Sequence, residues 1–316
     1  MSDIKVICTS DKNVAVSFTW NGFTPFHLVD IEGIYGIESN VVTSENTTID
    51  GSTYQGATAK ERYVNLIVEM DSNYSENRNL LYKCFPIKSS GTMEYIEDGE
   101  IKVIKYEVES IIPGKTTGVV RDYTLSLICP DPYFKDPIDT EIIMASWVSD
   151  FFFPAEFPAE GIEFGHRKTE YVKVIENTNG ADNTGITVVF KAGGTVKNPA
   201  IYHTESGEFF KVGFEGNDLF LESGQYVIIC THTGKKDVYL IDKAHQAEIE
   251  DVRNRYGLID WERVVDQYGQ SINEYMDEDG TFIQLQYGTN TLTYSAEEGI
   301  NFLSVSIYYR VSYLGV

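Results

Sequence analysis

Two extended stretches, residues 92–97 and 101–109, flank the pair Asp98-Gly99. Asp-Gly is favoured in tight two-residue turns, because its positive φ angles match the twist of paired strands. This part of the chain must therefore fold back on itself as a β-hairpin. Both arms are long and carry charge at alternate positions, the pattern of strands with at least one wetted face. Such a hairpin either lies inside one sheet or projects to pair with a neighbouring subunit, and the pattern alone leaves both open. A projecting hairpin serves assembly more than folding. In that case Glu94, Tyr95, Asp98, Gly99, Lys102 and Lys105 are the candidate interface residues.

The surrounding sequence is also mainly β. Val14-Ala15-Val16-Ser17-Phe18 alternates towards Trp20, residues 26–31 resume an extended pattern, and residues 47–54 carry the turn signal Asp50-Gly51. Residues 62–70 alternate strictly as a strand headed by Arg62. One good helix interrupts the pattern. Ser75 reads as its N-cap, Glu76 lies in the first turn, Leu80, Leu81, Cys84 and Phe85 form its apolar stripe, and Pro86 ends it. A strand over residues 123–129 stops at Pro130-Asp131-Pro132-Tyr133-Phe134, the natural end of a first domain spanning 1–135.

A second domain, 136–316, opens with an irregular connector over 136–165 that contains Phe151-Phe152-Phe153-Pro154 and Phe157-Pro158. Short strands follow, separated by Asn179-Gly180, Gly193-Gly194, Gly216-Asn217-Asp218 and Ser223-Gly224. Many short strands at this spacing predict a β-sandwich. Residues 244–267 break that texture: 244–255 read as a short polar helix closed by Tyr256-Gly257, with a further helical turn or two before Gln267. The β pattern returns at 282–285, 291–294 and 302–309.

Composition excludes several functions. At 316 residues the chain is long enough for about two domains with real cores. Its net charge is −23, of which residues 1–135 hold −7 and the remainder −16. A nucleic-acid binder needs a basic patch to displace counterions from phosphate, and none is visible. No apolar run approaches the roughly 20 residues of a membrane span, and the first residues lack the apolar core of a signal peptide, which predicts synthesis in the cytoplasm.

Catalysis and cofactors find little support. Cys8, Cys84, Cys129 and Cys230 are far apart in strand-like contexts and read as small buried hydrophobes rather than a metal or redox site. His27, His166, His203, His232 and His245 form no ligand pair, and no nucleophile elbow is present. Neither Gly193-Gly194 nor Gly33-Ile34-Tyr35-Gly36 is a phosphate loop. Asp277-Glu278-Asp279-Gly280 resembles a fragment of a calcium loop without its full ligand spacing and reads as a solvated turn. Trp147 and Trp261 are equally suited to a sugar platform and to a core or interface anchor. No cofactor, metal or catalytic residue is expected.

Four groups of residues, taken in order, resemble the distal tail proteins of siphophages. The first runs from Asp50-Gly51 to Arg62-Tyr63-Val64-Asn65-Leu66, and the second from Arg121-Asp122-Tyr123 to Pro130-Asp131-Pro132-Tyr133-Phe134. The third comprises Asn198-Pro199-Ala200-Ile201, Gly207-Glu208-Phe209-Phe210 and Gly234-Lys235-Lys236-Asp237-Val238. The fourth is the ending, residues 282–293 with Tyr309-Arg310-Val311-Ser312-Tyr313-Leu314-Gly315-Val316. The resemblance implies a tail-tube-like first domain, a β-sandwich with one helix and a long hairpin, of which six copies close into a ring. It implies a galectin-like β-sandwich as the second domain, with residues 244–267 as a departure from the plain sandwich. The implied role is a non-enzymatic hub of the phage tail tip, in the virion. Its implied partners are the tail-tube protein, a tail-associated hub protein and receptor-binding or baseplate proteins. A carbohydrate-binding adhesin whose second domain contacts the host surface directly is the alternative; a galectin-like fold does not by itself bring sugar binding, and no sugar-binding motif is matched.

Overall fold

Alternation decides where each strand of the first half sits. In the strand Arg62–Met70, Val64, Leu66, Val68 and Met70 are fully buried, and the residues between them are at least partly exposed. A computed structural model describes all residues except 1–2, 21–24, 46–49, 71, 118–119, 150–164, 179–182 and 255. The connector motifs Phe151-Phe152-Phe153-Pro154 and Phe157-Pro158, and the turn Asn179-Gly180, lie outside the described residues. The chain forms two units, Met1–Pro137 together with Ser312–Val316, and Ile138–Val311. A divide at 135/136 has no place for the return of the last residues, because nothing local in them announces a partner so far back in the sequence.

The first unit contains β1 (Ile4–Ser10), β2 (Ala15–Thr19), β3 (Phe26–Glu32), β4 (Ser39–Glu45), β5 (Ser52–Ala59) and β6 (Arg62–Met70). The helix α1 (Tyr74–Cys84) follows, then β7 (Ser90–Glu97), β8 (Glu100–Thr117), β9 (Val120–Cys129) and β10 (Phe134–Lys135). Strands run in the order β8-β7-β1-β2-β3-β6-β9, and β8 also pairs with β9, which closes the sheet into a barrel. One core fills it, including Phe18, Phe26, Leu66, Leu125 and Leu127, with Leu81, Cys84 and Phe85 supplied by the helix and the residue after it. Full burial of each such side chain stabilises by about 1.5–3 kcal/mol. Phe85 stacks on Tyr106 with ring centroids 5.9 Å apart. Gly91 makes room for that ring, since a Cβ there would lie 2.4 Å from the Tyr106 ring and hydroxyl.

The helix starts one residue before the expected cap. Asn73, in the left-handed region at φ 44°, is the N-cap, and no side chain caps the end. The turn at the head of the hairpin has the conformation its residues demand, with Asp98 at φ 50° and Gly99 at φ 90°.

The second unit contains β11 (Thr140–Ser149), β12 (Gly165–Thr169), β13 (Val172–Asn177), β14 (Thr184–Ala192), β15 (Val196–His203), β16 (Phe209–Lys211) and β17 (Phe220–Leu221). After these come β18 (Tyr226–Cys230), β19 (Asp237–Ile241), α2 (Gln246–Ile249), α3 (Trp261–Tyr268), β20 (Gln270–Ser271), β21 (Gln284–Leu285), β22 (Gly288–Glu298) and β23 (Leu303–Tyr309). One sheet runs β12-β11-β23-β14-β18-β19-β20 with β21 beside β14, and another runs β13-β22-β15-β16 with β17 beside β15. A single apolar cluster draws Val188, Phe190 and Ile307 from the first sheet and Ile201, Phe210 and Leu292 from the second.

The residues of β18 that point the other way, Tyr226, Ile228 and Cys230, pack with Ile249, Val252, Trp261, Val264 and Val265 of the helical segment. The expected helix over 244–255 is shorter than its composition suggests. A 3₁₀ turn, Lys243–His245, leads into α2, which stops at Ile249, and Arg253 bridges to Ile259 across a loop with Gly257 at φ 80°. A second short helix follows as expected, with Asp260 as its N-cap accepting from the Arg263 amide at 3.2 Å.

Candidate functional site

The hairpin over 90–117 does not project. Every residue of β7 from Gly91 to Glu97 pairs with β1 on one side and β8 on the other, and β8 pairs in turn with β10 and β9. Charge at alternate positions suggested free faces, but the ladder partners come from segments distant in sequence. Tyr95 is 2% exposed and donates its hydroxyl to Glu97 at 2.9 Å, and Glu94 is buried as well. Lys102 pairs with Asp136 at 2.7 Å and lies over the Tyr313 ring at 4.0 Å from its centroid, so it anchors the returning C-terminal segment. Only Asp98, Gly99 and Lys105 of the six candidate residues are exposed.

The projecting element lies elsewhere. β4 and β5 form a two-stranded sheet of their own. All of β4 is exposed, and all of β5 except the half-buried Gly56. Val41, Val42 and Tyr54 are 53%, 52% and 65% exposed. An isolated two-stranded ribbon is marginal in water, and exposed valine and tyrosine on it call for a covering surface. Sequence reasoning missed this arm, because its two strands are mostly polar and carry no alternating apolar pattern.

The arm is fixed at its base by Arg62, the third residue after it. Arg62 is 3% exposed. Its Nε donates to the Pro132 carbonyl at 2.7 Å, and its Nη1 to the carbonyls of Gly33, Ile34 and Gly36 at 2.6, 3.2 and 2.9 Å. Its Nη2 donates to the Leu314 carbonyl at 2.5 Å, and the guanidinium sits 5.0 Å from the centre of the Phe134 ring. Every acceptor it has among the described residues is a main-chain carbonyl, and burial pulls its pKa below the ordinary value. The planar fork of five donors suits arginine to such a junction and leaves lysine a poor substitute. Four segments meet on one side chain: the entry to the arm, its exit, the Pro-Asp-Pro turn and the C-terminus. Gly33 completes the junction, since at φ 84° a Cβ would fall 1.9 Å from the Tyr63 carbonyl oxygen.

The remaining candidate residues play structural parts. All four cysteines are buried, and burial raises Cys84 and Cys230 to about 11 and Cys129 to about 12, which keeps these thiols protonated. Asp277 turns back on itself, accepting from the Asp279 amide at 3.1 Å. Among the described residues no group of three or more His, Cys, Asp or Glu is placed to hold a metal ion, and no helix is long and apolar enough to cross a membrane. Trp261 is buried between the rings of Tyr226 and Tyr308, at 6.2 and 5.7 Å, and acts as an anchor for the helical segment. The side chain of Trp147 lies outside the described residues.

No protein-family model matches the chain, and no curated protein does either. Solved structures do. The Dit (gp 19.1) protein of SPP1, a paradigm of the hub adsorption apparatus in phages that infect Gram-positive hosts, aligns with a TM-score of 0.61 over 98% of this chain and 99% of that chain. The chain has the fold of that hub protein. Sequence identity is 11%, so the hub fold is shared while nearly every side chain differs. A chain of the phage P2 baseplate in its activated conformation with Ca aligns with a TM-score of 0.51 and 9% identity over 100% of both chains. The alignment therefore spans both units of the present chain.

Proposed function

We propose that this protein is a structural, non-enzymatic hub of a phage tail tip. In this reading the first unit closes into a homo-hexameric ring, which joins the tail tube to the baseplate and the host-adsorption apparatus in the virion. The observation that carries the proposal is the match in fold, at a TM-score of 0.61, to the SPP1 hub adsorption protein along nearly the whole of both chains. Its partners are then the tail-tube protein, a tail-associated hub protein and receptor-binding or baseplate proteins, with the second unit as a galectin-like sandwich that presents them.

The arm formed by β4 and β5 supplies the reason for a ring. Part of its exposed apolar surface is covered when one face lies on the barrel of the next copy, a heterologous contact that closes when the rotation suits; Val41 and Val42, successive in the strand, point to opposite faces. The exposed part of the other hairpin, Asp98, Gly99 and Lys105, is the second surface proposed to face a neighbour. Negative-stain electron microscopy of the purified protein at high concentration tests the reading. Ring-shaped particles with a central hole support it, and single uniform globules in the presence of the tail-tube neighbour count against it.

A further inference from the structure

A polar cleft of about 430 Å³ opens in the second unit, lined by Asn183, Glu208, Lys236, Phe282, Gln284 and Gln286 among others. That volume falls within the roughly 300–1,000 Å³ of small-ligand sites. We propose that this cleft binds a neutral saccharide. The inference does not depend on the hub reading and would hold for a monomer.

The wall is made of groups suited to hydroxyls. Amides and a carboxylate offer donors and acceptors in fixed planes, and an aromatic ring offers an apolar face to the C–H side of a sugar ring. Three of these groups, Phe282, Gln284 and Glu208, are held before any ligand arrives. Phe282 is half-buried, its ring held 4.8 Å from that of Phe210. Gln284 donates Nε2 to the Thr231 carbonyl at 3.1 Å, which fixes its amide plane. The loop carrying Phe282 is tied down where the Thr281 amide donates to the Phe209 carbonyl at 2.8 Å.

Glu208 is held by a chain of side chains that begins in the interior. Asn290 is fully buried; its Nδ2 donates to the carbonyls of Gln286 and Gly288 at 2.9 and 3.0 Å, and its Oδ1 accepts from the Gln286 amide at 2.7 Å. That orientation leaves Oδ1 to the His203 ring, whose Nε2 lies 3.1 Å away. His203 is 1% exposed, and its Nδ1 lies 2.6 Å from the Ser206 hydroxyl. Ser206 Oγ accepts the Glu208 amide at 3.2 Å, and its one proton is shared between His203 Nδ1 and the Glu208 carboxylate 3.0 Å away. Burying an imidazole and an amide costs free energy that their hydrogen bonds only offset. Here the chain ends on a carboxylate at the wall of a cleft, so it restrains an acceptor that a ligand would otherwise have to order.

Charge narrows the ligand class. The named wall carries one carboxylate and one ammonium, Glu208 and Lys236, so a phosphate or uronate would meet Glu208 as well as Lys236. A neutral ring meets no such repulsion from Glu208 and still finds a donor in Lys236.

The test uses the full chain and saturation-transfer NMR with methyl glycosides of glucose, galactose, mannose, rhamnose and N-acetylglucosamine. Transfer to at least one of them is expected, with an affinity weakened about tenfold or more by Glu208→Ala, the size of a lost hydrogen bond to a charged group. Ser206→Ala is expected to weaken it by a smaller factor and Ser206→Thr to restore it, with a cooperative melt of the second unit retained in all three variants. No transfer to any of the glycosides, or an affinity indifferent to Glu208→Ala, overturns the proposal. Stronger binding of methyl glucuronide or inorganic phosphate than of every neutral glycoside overturns the ligand class.

Discussion

Arg62 donates a hydrogen bond from Nη2 to the carbonyl of Leu314, 252 residues further along the chain. The same guanidinium holds both ends of the exposed arm's base and the turn that ends the barrel. One side chain thus sets where the arm leaves the first unit and where the returning terminus rests. Replacing it strands several buried carbonyls at once, and each unpaired buried group costs about 1–3 kcal/mol. Arg62→Ala is expected to destabilise the first unit by about 3 kcal/mol or more, and Arg62→Lys to recover only a minor part. Urea melts that resolve the first unit check this; a lysine variant as stable as the parent contradicts it.

The two hairpins of the first unit should respond in opposite ways to removal. Joining Gly91 to Ser110 deletes Met93, Tyr95, Ile104 and Tyr106 from the core and breaks the ladders to β1, β9 and β10. Replacing 39–59 by a short glycine linker deletes almost nothing that is buried. Circular dichroism is expected to show the cooperative melt lost in the first deletion and kept in the second. A melt that survives the first deletion removes the barrel closure described above.

Acid should loosen the second unit through one surface network. Glu297 accepts from Lys211 at 2.7 Å and from Asn198 at 3.0 Å, and Asn198 also donates to Asp218 at 2.7 Å. Glu297 is held below its ordinary 4.5, first by the bond from Lys211, and Asp218 below its ordinary 3.8, first by the bond from Asn198. A carboxylate whose pKa is lowered by folding adds stability above its unfolded value, and that stability is lost as pH falls through the folded value. The melting temperature of this unit is expected to fall as pH drops from about 5 towards 3, less steeply in Glu297→Gln. An identical pH profile in that variant assigns the acid sensitivity to other groups.

How much of this was legible in the sequence depends on how local each signal is. The Asp98-Gly99 turn and the apolar stripe Leu81, Cys84 and Phe85 are local, and both stand where residue chemistry places them. The ladder partners of β7 are not local, so the same residues could not say whether the hairpin projects. The strands carrying Val41, Val42 and Tyr54 gave the opposite difficulty, because they are mostly polar and show no apolar alternation, and their exposure is decided by what is absent beside them. Arg62 stood out as the head of a strand, but its acceptors are carbonyls, which no side-chain pattern records. Glu208 was quoted within a motif, while His203, Ser206 and Asn290 join it only after β15 and β22 pair.

Duplex DNA should not bind. Each phosphate neutralised by a basic side chain adds favourable counterion release, and several are needed for a held complex. With a net charge of −23, of which −7 lies in residues 1–135 and −16 in the rest, an anisotropy titration at low salt is expected to show no saturable binding. Salt-sensitive binding in the micromolar range contradicts the account of the charge.

The central claim is assembly through the exposed arm, and sedimentation velocity measures it most directly. The intact protein, at high concentration or mixed with the tail-tube protein proposed as its partner, is expected to sediment as a closed ring of six. The variant lacking 39–59 is expected to remain monomeric with its cooperative melt intact. A strictly monomeric parent under both conditions, or rings that form equally well without the arm, contradicts the claim.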